Sequence, residues 1–408
     1  MMYENLLRRF TEMSRAVFGE NLVGVYLHGS LAMGCLNPEK SDLDLILVVE
    51  NSPTFNEKRC FTEKLMTMRA DAPQKGFELS IVKREVCKPF LYPTPFEFHY
   101  SDGHIEAVLS DLSAYIEKMQ GTDKDLGAHF TVINHYGIPL YGPPVKEIFA
   151  PVPKKNYIDS IWFDVQNAVE DISEAPLYIT LNFCRVLGFL KDGLVLSKKT
   201  GGAWGLENLP EKYRALVKAA EDAYASGDEM HADAEALSDF AEYMTAEIKS
   251  AILADPENVT GPMLTDMGVC PTCYSRAHNN CFFPNAAETQ LFENELFECS
   301  LVDIPRAPGH TVIVSREHYK DMMELPEELN AEIYRFAQKA MCAIREVYGA
   351  ESVYLCTMCD GPMNHFHVQL IPRYSYEKRG SKNFVKARQP YVADAEKIKL
   401  LREKLKNV

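Results

Sequence analysis

The chain has 408 residues, 46% of them hydrophobic and 25% charged, an ordinary soluble composition whose length calls for two or three domains instead of one core. A net charge of −15 disfavours nucleic acid as a partner, because a phosphate backbone asks for a basic footprint. Eleven cysteines, an odd number scattered over a long chain, argue for reduced thiols with a metal pair and against a disulfide framework.

Membrane insertion is excluded on length. The strongest apolar run, Leu43–Val49, is interrupted by Asp44 and falls well short of the roughly 20 residues a spanning helix needs. The opening MMYENLLRRF has neither an apolar signal core nor a small-residue cleavage site, so a cytoplasmic protein with no membrane partner is expected.

In chain order, residues 3 to 20 read as a helix, with Leu6, Leu7, Phe10, Met13 and Val17 at helical spacing. VGVYLHGS and DLDLILVVE follow as two strands around a short loop, and FELSIVK (77 to 83) as a third after a helical stretch. This alternation predicts a mixed α/β domain over 1–150, closed by the prolines of APVP. Residues 151–255 read as a helical bundle, with amphipathic segments at 157 to 172, 176 to 191, 210 to 225 and 230 to 252. Residues 256–267, rich in Pro, Gly, Asn and Asp, read as a linker. A second α/β unit is expected over 268–408, with strands near 291 to 303, 311 to 314, 352 to 357 and 364 to 371 and a helix from about 326 to 348.

Two constellations carry chemistry. In LHGSLAMGCLNPEKSDLDLILVV a strand runs into the Gly29-Ser30 turn, and the next strand opens with Asp42 and Asp44. Residues two apart share a strand face, so these carboxylates can share one hard cation such as Mg²⁺. A Gly-Ser turn lets backbone N–H groups and a hydroxyl approach a triphosphate without the lysine of a P-loop. Glu78 supplies a third carboxylate, suited to metal coordination or to general-base work on an acceptor hydroxyl. Taken one at a time, a D-x-D and a G-S turn are most often a solvated strand start and a plain turn.

Taken together, this pattern resembles the nucleotidyltransferase superfamily. FELSIVK, YPTPFEFHYS, GIPLYGPPVKEIFAPVP, LNFCR, LSKKTGGAW and LPEKYRALV extend the resemblance, over roughly residues 20 to 250, to the aminoglycoside adenylyltransferases that modify streptomycin and spectinomycin. The resemblance implies that Gly29, Ser30, Asp42 and Asp44 hold Mg-ATP, that Glu78 is the base, and that Lys198 contacts phosphate. Two positions depart from the family. Gly103 stands where it has a tryptophan, and an acidic stretch is reduced to Ser173-Glu174-Ala175-Pro176. Both belong to the acceptor side, so adenylyl transfer to a small hydroxyl compound is better supported than an aminoglycoside acceptor in particular.

The second constellation lies in NHFHVQLIPR. On a strand, His365, His367 and Gln369 would face one way and Phe366, Val368 and Leu370 the other, as on a half-buried strand flooring a site. With CPTC and ECSLVDIPRAPGHTVIVSREHY, the segment from about 268 to 376 resembles the histidine-triad (HIT) superfamily. That resemblance makes His367 the nucleophile that forms a nucleotidyl-histidine, puts Asp303 on the ribose and His310 in the phosphate-side segment, and leaves Asn364 unassigned. Gln369 replaces the third histidine of hydrolase members. The H-x-H-x-Q pattern is similar to galactose-1-phosphate uridylyltransferase and diadenosine tetraphosphate phosphorylase, and an amide can donate to a phosphoryl oxygen without titrating near neutrality. By the same resemblance Cys270, Cys273, His318 and His365 form a structural Zn²⁺ set. Cys356 and Cys359 offer a Cys₄ alternative whose strand-like setting suits packing better, and Cys281 and His278 are weaker spare ligands.

The expected protein is an α/β multidomain, bifunctional nucleotide enzyme: a mixed-sheet nucleotidyltransferase domain with its helical partner, fused to a HIT-like α+β domain that transfers or hydrolyses nucleotides. ATP or another nucleotide and a hydroxyl acceptor are its partners, and the HIT resemblance implies a homodimer. The alternative is that one domain senses a nucleotide without turnover and regulates the other.

Overall fold

A computed structural model describes residues 2 to 380, 382, 384 to 390, 392 and 394 to 406. It divides into two compact units, Met1–Val259 and Thr260–Val408.

In the first unit, α1 (Glu4–Phe18), β1 (Leu22–Leu27), β2 (Leu43–Val49), α2 (Phe55–Met66), β3 (Phe77–Lys83), β4 (Phe98–Ser101), α3 (Leu126–Tyr136) and β5 (Ile138–Tyr141) build a sheet of order β4-β3-β2-β1-β5 with helices on both sides. Only β2 and β3 run parallel, because α2 supplies the crossover that a parallel pair needs. Leu45 and Leu47 of β2 enter one core with Phe10, Phe61 and Phe77, while Ile46 and Val48 enter another with Tyr26, Phe130 and Phe149. Burial on both faces explains why DLDLILVVE reads as a near-continuous apolar run after its two aspartates.

Five helices follow: α4 (Lys154–Phe163), α5 (Pro176–Asp192), α6 (Lys198–Asn208), α7 (Glu211–Ser226) and α8 (Ala234–Leu253). The helix expected over 157 to 172 stops at Phe163, and only a short turn, Ala168–Asp171, resumes it. α6 is absent from the expected amphipathic segments because three of its buried contact positions, Gly201, Gly202 and Gly205, are glycines. A Cβ on Gly201 would lie 2.6 Å from Arg185 Cγ, so the close approach of α6 to α5 depends on having no side chain there.

In the second unit, α9 (Pro271–Ala277), β6 (Gln290–Glu293), β7 (Phe297–Leu301), β8 (Thr311–Ser315), α10 (Glu327–Tyr348), β9 (Ser352–Cys356), β10 (His367–Arg373) and α11 (Ala395–Leu405) form an antiparallel sheet of order β9-β10-β8-β7-β6. Val368 and Leu370 pack with Phe336, Ile344 and Leu401 on the helix-covered face. Three expectations are corrected here. The strand expected over 291 to 303 is a hairpin, β6 and β7. Part of the stretch expected as a linker is the helix Gly261–Asp266, in which Met263 and Leu264 are buried. The strand expected over 364 to 371 begins only at His367, so His365 lies outside it and shares no strand face with Gln369. No helix among the described residues is long and apolar enough to cross a membrane.

Candidate active sites

The first site lies at the C-terminal ends of β1 and the N-terminal ends of β2 and β3. Parallel register sets Asp44 beside Glu78; β2 begins at Leu43, so Asp42, expected to open the strand, lies just before it and reaches both carboxylates from the loop. One oxygen from each carboxylate lies within 4.8 Å of the others. The Gly29-Ser30 turn closes over them: the His28 amide donates to the Asp44 carbonyl at 3.0 Å. Gly29 has φ +62°, and a Cβ there would lie 1.8 Å from Asp44 Oδ2, so this position is restricted to glycine on two counts. Ser30 Oγ is buried without a hydrogen-bond partner.

Crowding three carboxylates in this way disfavours their charged forms. Burial first, then Asp42 and Glu78, hold the Asp44 carboxyl well above its usual range, and burial raises Glu78 to about 7. A hard divalent cation relieves both effects, and the all-oxygen donor set with an unpartnered hydroxyl beside it fits Mg²⁺.

A third element completes the pocket, and sequence reasoning missed it. Asp125, just before α3, and His129 on it lie one turn apart, with His129 Nε2 3.0 Å from Asp125 Oδ2 and its ring 4.8 Å from that of His28. Burial opposes charge on His129, but Asp125, then Glu78 and Asp44, outweigh it and hold the imidazolium up to about 10. His28 is pushed the other way, by burial and by His129. In DLGAH the only available signal was an Asp and a His four apart on a helix, which is also the pattern of an ordinary surface pair.

The helical half supplies the opposite wall. Asp164 accepts from Tyr178 Oη at 2.8 Å and from Asn182 Nδ2 at 2.7 Å, and Arg185 Nη1 donates to Asn182 Oδ1 at 2.8 Å. Lys198 Nζ sits 4.7 Å over the Tyr178 ring, and burial, then Arg185 and Lys75, lower its pKa. Asp42, Asp44, Glu78, His129, Arg185 and Lys198 line one cavity of about 330 Å³. Lys198, Asn37 and Tyr224 border a second, of about 460 Å³. Asp125, Asp164 and Asp171 line a third, of about 250 Å³. Acidic side chains therefore remain beside the site although residues 173 to 176 hold only Glu174, and Gly103 lies in an exposed turn, its amide donating to the capping Ser101 Oγ.

The second site is built around the loop before β10. Cys270 Sγ is 3.6 Å from His365 Nδ1, and Cys273 Sγ is 3.4 Å from His365 Nδ1 and 3.5 Å from His318 Nδ1. Tetrahedral zinc with ordinary Zn–S and Zn–N bonds requires sulfur-to-nitrogen separations of about 3.5 Å. The four ligand atoms fit that ion. His365 Nε2 donates to the Ser315 carbonyl at 2.9 Å, fixing Nδ1 as the free lone pair. Among the described residues Cys356 and Cys359 belong to no such cluster, and Cys359 packs against the core.

His367 follows directly. Its Nδ1 donates to the His365 carbonyl at 2.9 Å, which leaves the lone pair on Nε2, and Gln369 Nε2 lies 3.2 Å from it. His310 Nδ1 accepts from the Arg306 amide at 3.1 Å and its ring faces Gln369. Burial, then Arg388, lower His310 to about 4, so it is neutral at physiological pH. Asp303 lies beside Asn285 with its pKa raised by burial, and Asn364 Nδ2 donates to the Lys320 carbonyl.

The first site has the sheet and carboxylate arrangement of a nucleotidyltransferase, and the second the strand and histidines of a HIT domain. Residues 147–247 match the aminoglycoside adenylyltransferase C-terminal domain family, and residues 284–376 match the HIT domain family. The chain is 25% identical over 238 residues to an aminoglycoside (3'') (9) adenylyltransferase of Klebsiella pneumoniae, covering 57% of this chain and 89% of that protein. It is 26% identical over 215 residues to a spectinomycin 9-adenylyltransferase of Staphylococcus aureus, covering 51% and 80% respectively. The fold of the crystal structure of spectinomycin adenyltransferase from Enterococcus faecialis, solved with ATP and spectinomycin, superposes with a TM-score of 0.52 at 21% identity, over 60% of this chain and 99% of that one.

Proposed function

We propose that the first unit is an adenylyltransferase acting on a cationic hydroxyl compound of the amino-sugar class, and the second a nucleotidyl-histidine transferase. The Asp42, Asp44 and Glu78 cluster beneath the Gly29-Ser30 turn carries the first reading. Glu78, with a pKa near 7, takes the proton of the acceptor hydroxyl as that oxygen attacks the α-phosphorus of ATP. The bond to pyrophosphate breaks, and Lys198 and Arg185 face the departing charge. Mg²⁺, held by Asp42 and Asp44, would neutralise the triphosphate when bound. Asp164 and Asp171 suit an acceptor bearing ammonium groups, in keeping with the relatives named above.

Mass spectrometry with ATP, Mg²⁺ and a panel of streptomycin, spectinomycin and other amino-sugars tests this. A product heavier by one AMP, lost in Asp42→Asn and kept in His367→Ala, is expected. If no acceptor is modified by the wild type, the reading fails.

In the second unit, His367 Nε2 attacks a phosphorus and Gln369 donates to a phosphoryl oxygen. Because the amide cannot activate water, the intermediate passes to a phosphate acceptor faster than it hydrolyses. Burst kinetics relieved by added phosphate are expected, and rapid hydrolysis without an acceptor contradicts the proposal.

A further inference from the structure

We propose that His99 and His104 form an acceptor contact of the first site, and that they select a ring carrying a pair of adjacent hydroxyl groups near the one that is adenylylated. The inference rests on Glu78 acting on an acceptor hydroxyl and adds the residues that choose the acceptor.

The two histidines stand beside the strand that carries the base. β4 is antiparallel to β3, with Ser101 opposite Glu78 and His99 opposite Ser80. Opposed residues share a face, and Ser80 stands about 7 Å along β3 from Glu78, so the His99 side chain lies on the Glu78 side of the sheet. The charges of His129 and Asp125, which line the carboxylate cavity, reach it. The His104 ring stands 5.7 Å from that of His99, edge to face, and Phe96 packs on His99 in the same manner at 6.3 Å. Gly103, where the sequence departs from the family, lies in the turn between the two histidines. Its φ is not left-handed, and a Cβ there would meet only Ser101 Oγ, at 3.4 Å. The backbone therefore does not require glycine at this position; its missing side chain leaves the approach to both rings uncovered.

Hydrogen bonds set one ring as a donor and the other as an acceptor. Tyr115 Oη donates to the His99 carbonyl at 2.9 Å, so towards His104 Nδ1, 3.2 Å away, it can only accept, and the His104 proton sits on Nδ1. Ser80 is buried, and His99 Nδ1, at 3.0 Å, is the only acceptor its hydroxyl has among the described residues. Donation there leaves no buried O–H unpaired and puts the His99 proton on Nε2. Burial, then the charge of His129, lowers His99 to about 4, so the ring stays neutral at physiological pH and keeps this tautomer. His99 Nε2 is thus a donor and His104 Nε2 an acceptor, and neither has a partner among the described residues. Adjacent ring hydroxyls, one accepting and one donating, pair both nitrogens at once. An ammonium group can only donate, and an apolar ring face pairs neither.

The test takes the full chain as wild type, His99→Leu, His99→Gln and Gly103→Trp, with ATP, Mg²⁺ and four acceptors: streptomycin, spectinomycin, kanamycin B and tobramycin. Kanamycin B carries one pair of adjacent ring hydroxyls, and tobramycin lacks one member of that pair. For whichever acceptor is modified, His99→Leu should raise its KM about tenfold and leave the KM for ATP within about twofold. His99→Gln, whose amide still donates, should recover most of the loss, and Gly103→Trp, which covers both rings, should lose as much as His99→Leu. An unmoved acceptor KM, a matching loss for ATP, no recovery in His99→Gln, or tobramycin modified as well as kanamycin B overturns the proposal. Should the wild type modify none of the four, the adenylyl-transfer reading fails, and the histidine pair is judged by calorimetry with α,β-methylene-ATP and Mg²⁺ present. There kanamycin B should bind about tenfold tighter than tobramycin, and His99→Leu should erase the difference. Equal binding by the wild type, or a difference that survives His99→Leu, overturns the site itself.

Discussion

His129 on α3 and Asp125 at its N-terminal cap form a 3.0 Å ion pair, and the imidazolium faces the carboxylates of Glu78 and Asp44. A cation there lowers the pKa of Glu78, which burial has already raised to about 7. Removing it should raise that pKa further. In His129→Leu, the acidic limb of the pH profile of kcat/KM for adenylyl transfer should move to higher pH, with activity at neutral pH about tenfold lower. An unmoved limb would show that His129 is only packing.

Stability without metal should depend on pH in a defined sense. Glu78 holds its proton to about pH 7 in the folded state, against an ordinary value of 4.5, and Asp44 shifts in the same direction. Between those values the folded protein binds more protons than the unfolded chain, so stability falls as pH rises. In EDTA, the Tm of the transition assigned to the first unit should drop by several degrees from about pH 5 to 7. It should go on falling above that, as His129, charged to about 10 when folded against 6.5 ordinarily, loses its contribution. Mg²⁺ or Glu78→Gln should flatten the first part of the curve. A flat curve in EDTA contradicts the crowding of these carboxylates.

Zinc content separates the two cysteine pairs. Cys273→Ser or His318→Ala should cut bound zinc, measured by mass spectrometry of the purified protein, from near one per chain to a small fraction. Cys356→Ser should leave it unchanged. His365→Ala should lose both zinc and His367-dependent turnover, because the His365 carbonyl fixes the His367 tautomer at 2.9 Å and the ring braces that turn.

Gln369→His tests the role of the amide. An imidazole that titrates near neutrality can activate water, so hydrolysis of the His367 intermediate without added phosphate should rise at least tenfold. Unchanged partition between water and phosphate would assign acceptor choice elsewhere.

Gly29→Ala asks whether the first site tolerates any side chain at its turn. With φ at +62° and Asp44 Oδ2 at 1.8 Å from the new Cβ, either the turn or the carboxylate must move. Adenylyl transfer should fall at least a hundredfold, with a stability loss of about 1–3 kcal/mol. Retention of near wild-type kcat would contradict the geometry.

Local rules were enough for much of this protein. Spacing alone pairs Asp42 with Asp44, alternation separates Phe366, Val368 and Leu370 from the polar residues between them, and the C-x-x-C spacing marks a metal half-site. What sequence could not decide is which remote segments converge. Glu78 reaches Asp44 only through the parallel register of β2 and β3. His365 leaves the strand because its ring turns to the two cysteines while Phe366 N donates to the Tyr319 carbonyl at 2.7 Å. Asp125 and His129 carry no local signal, since an acid and a histidine four residues apart at a helix start read as a solvated surface pair. Their enclosure beside the carboxylate cluster arises only when α3 is packed against the sheet, and it is desolvation that turns ordinary charges into strongly interacting ones.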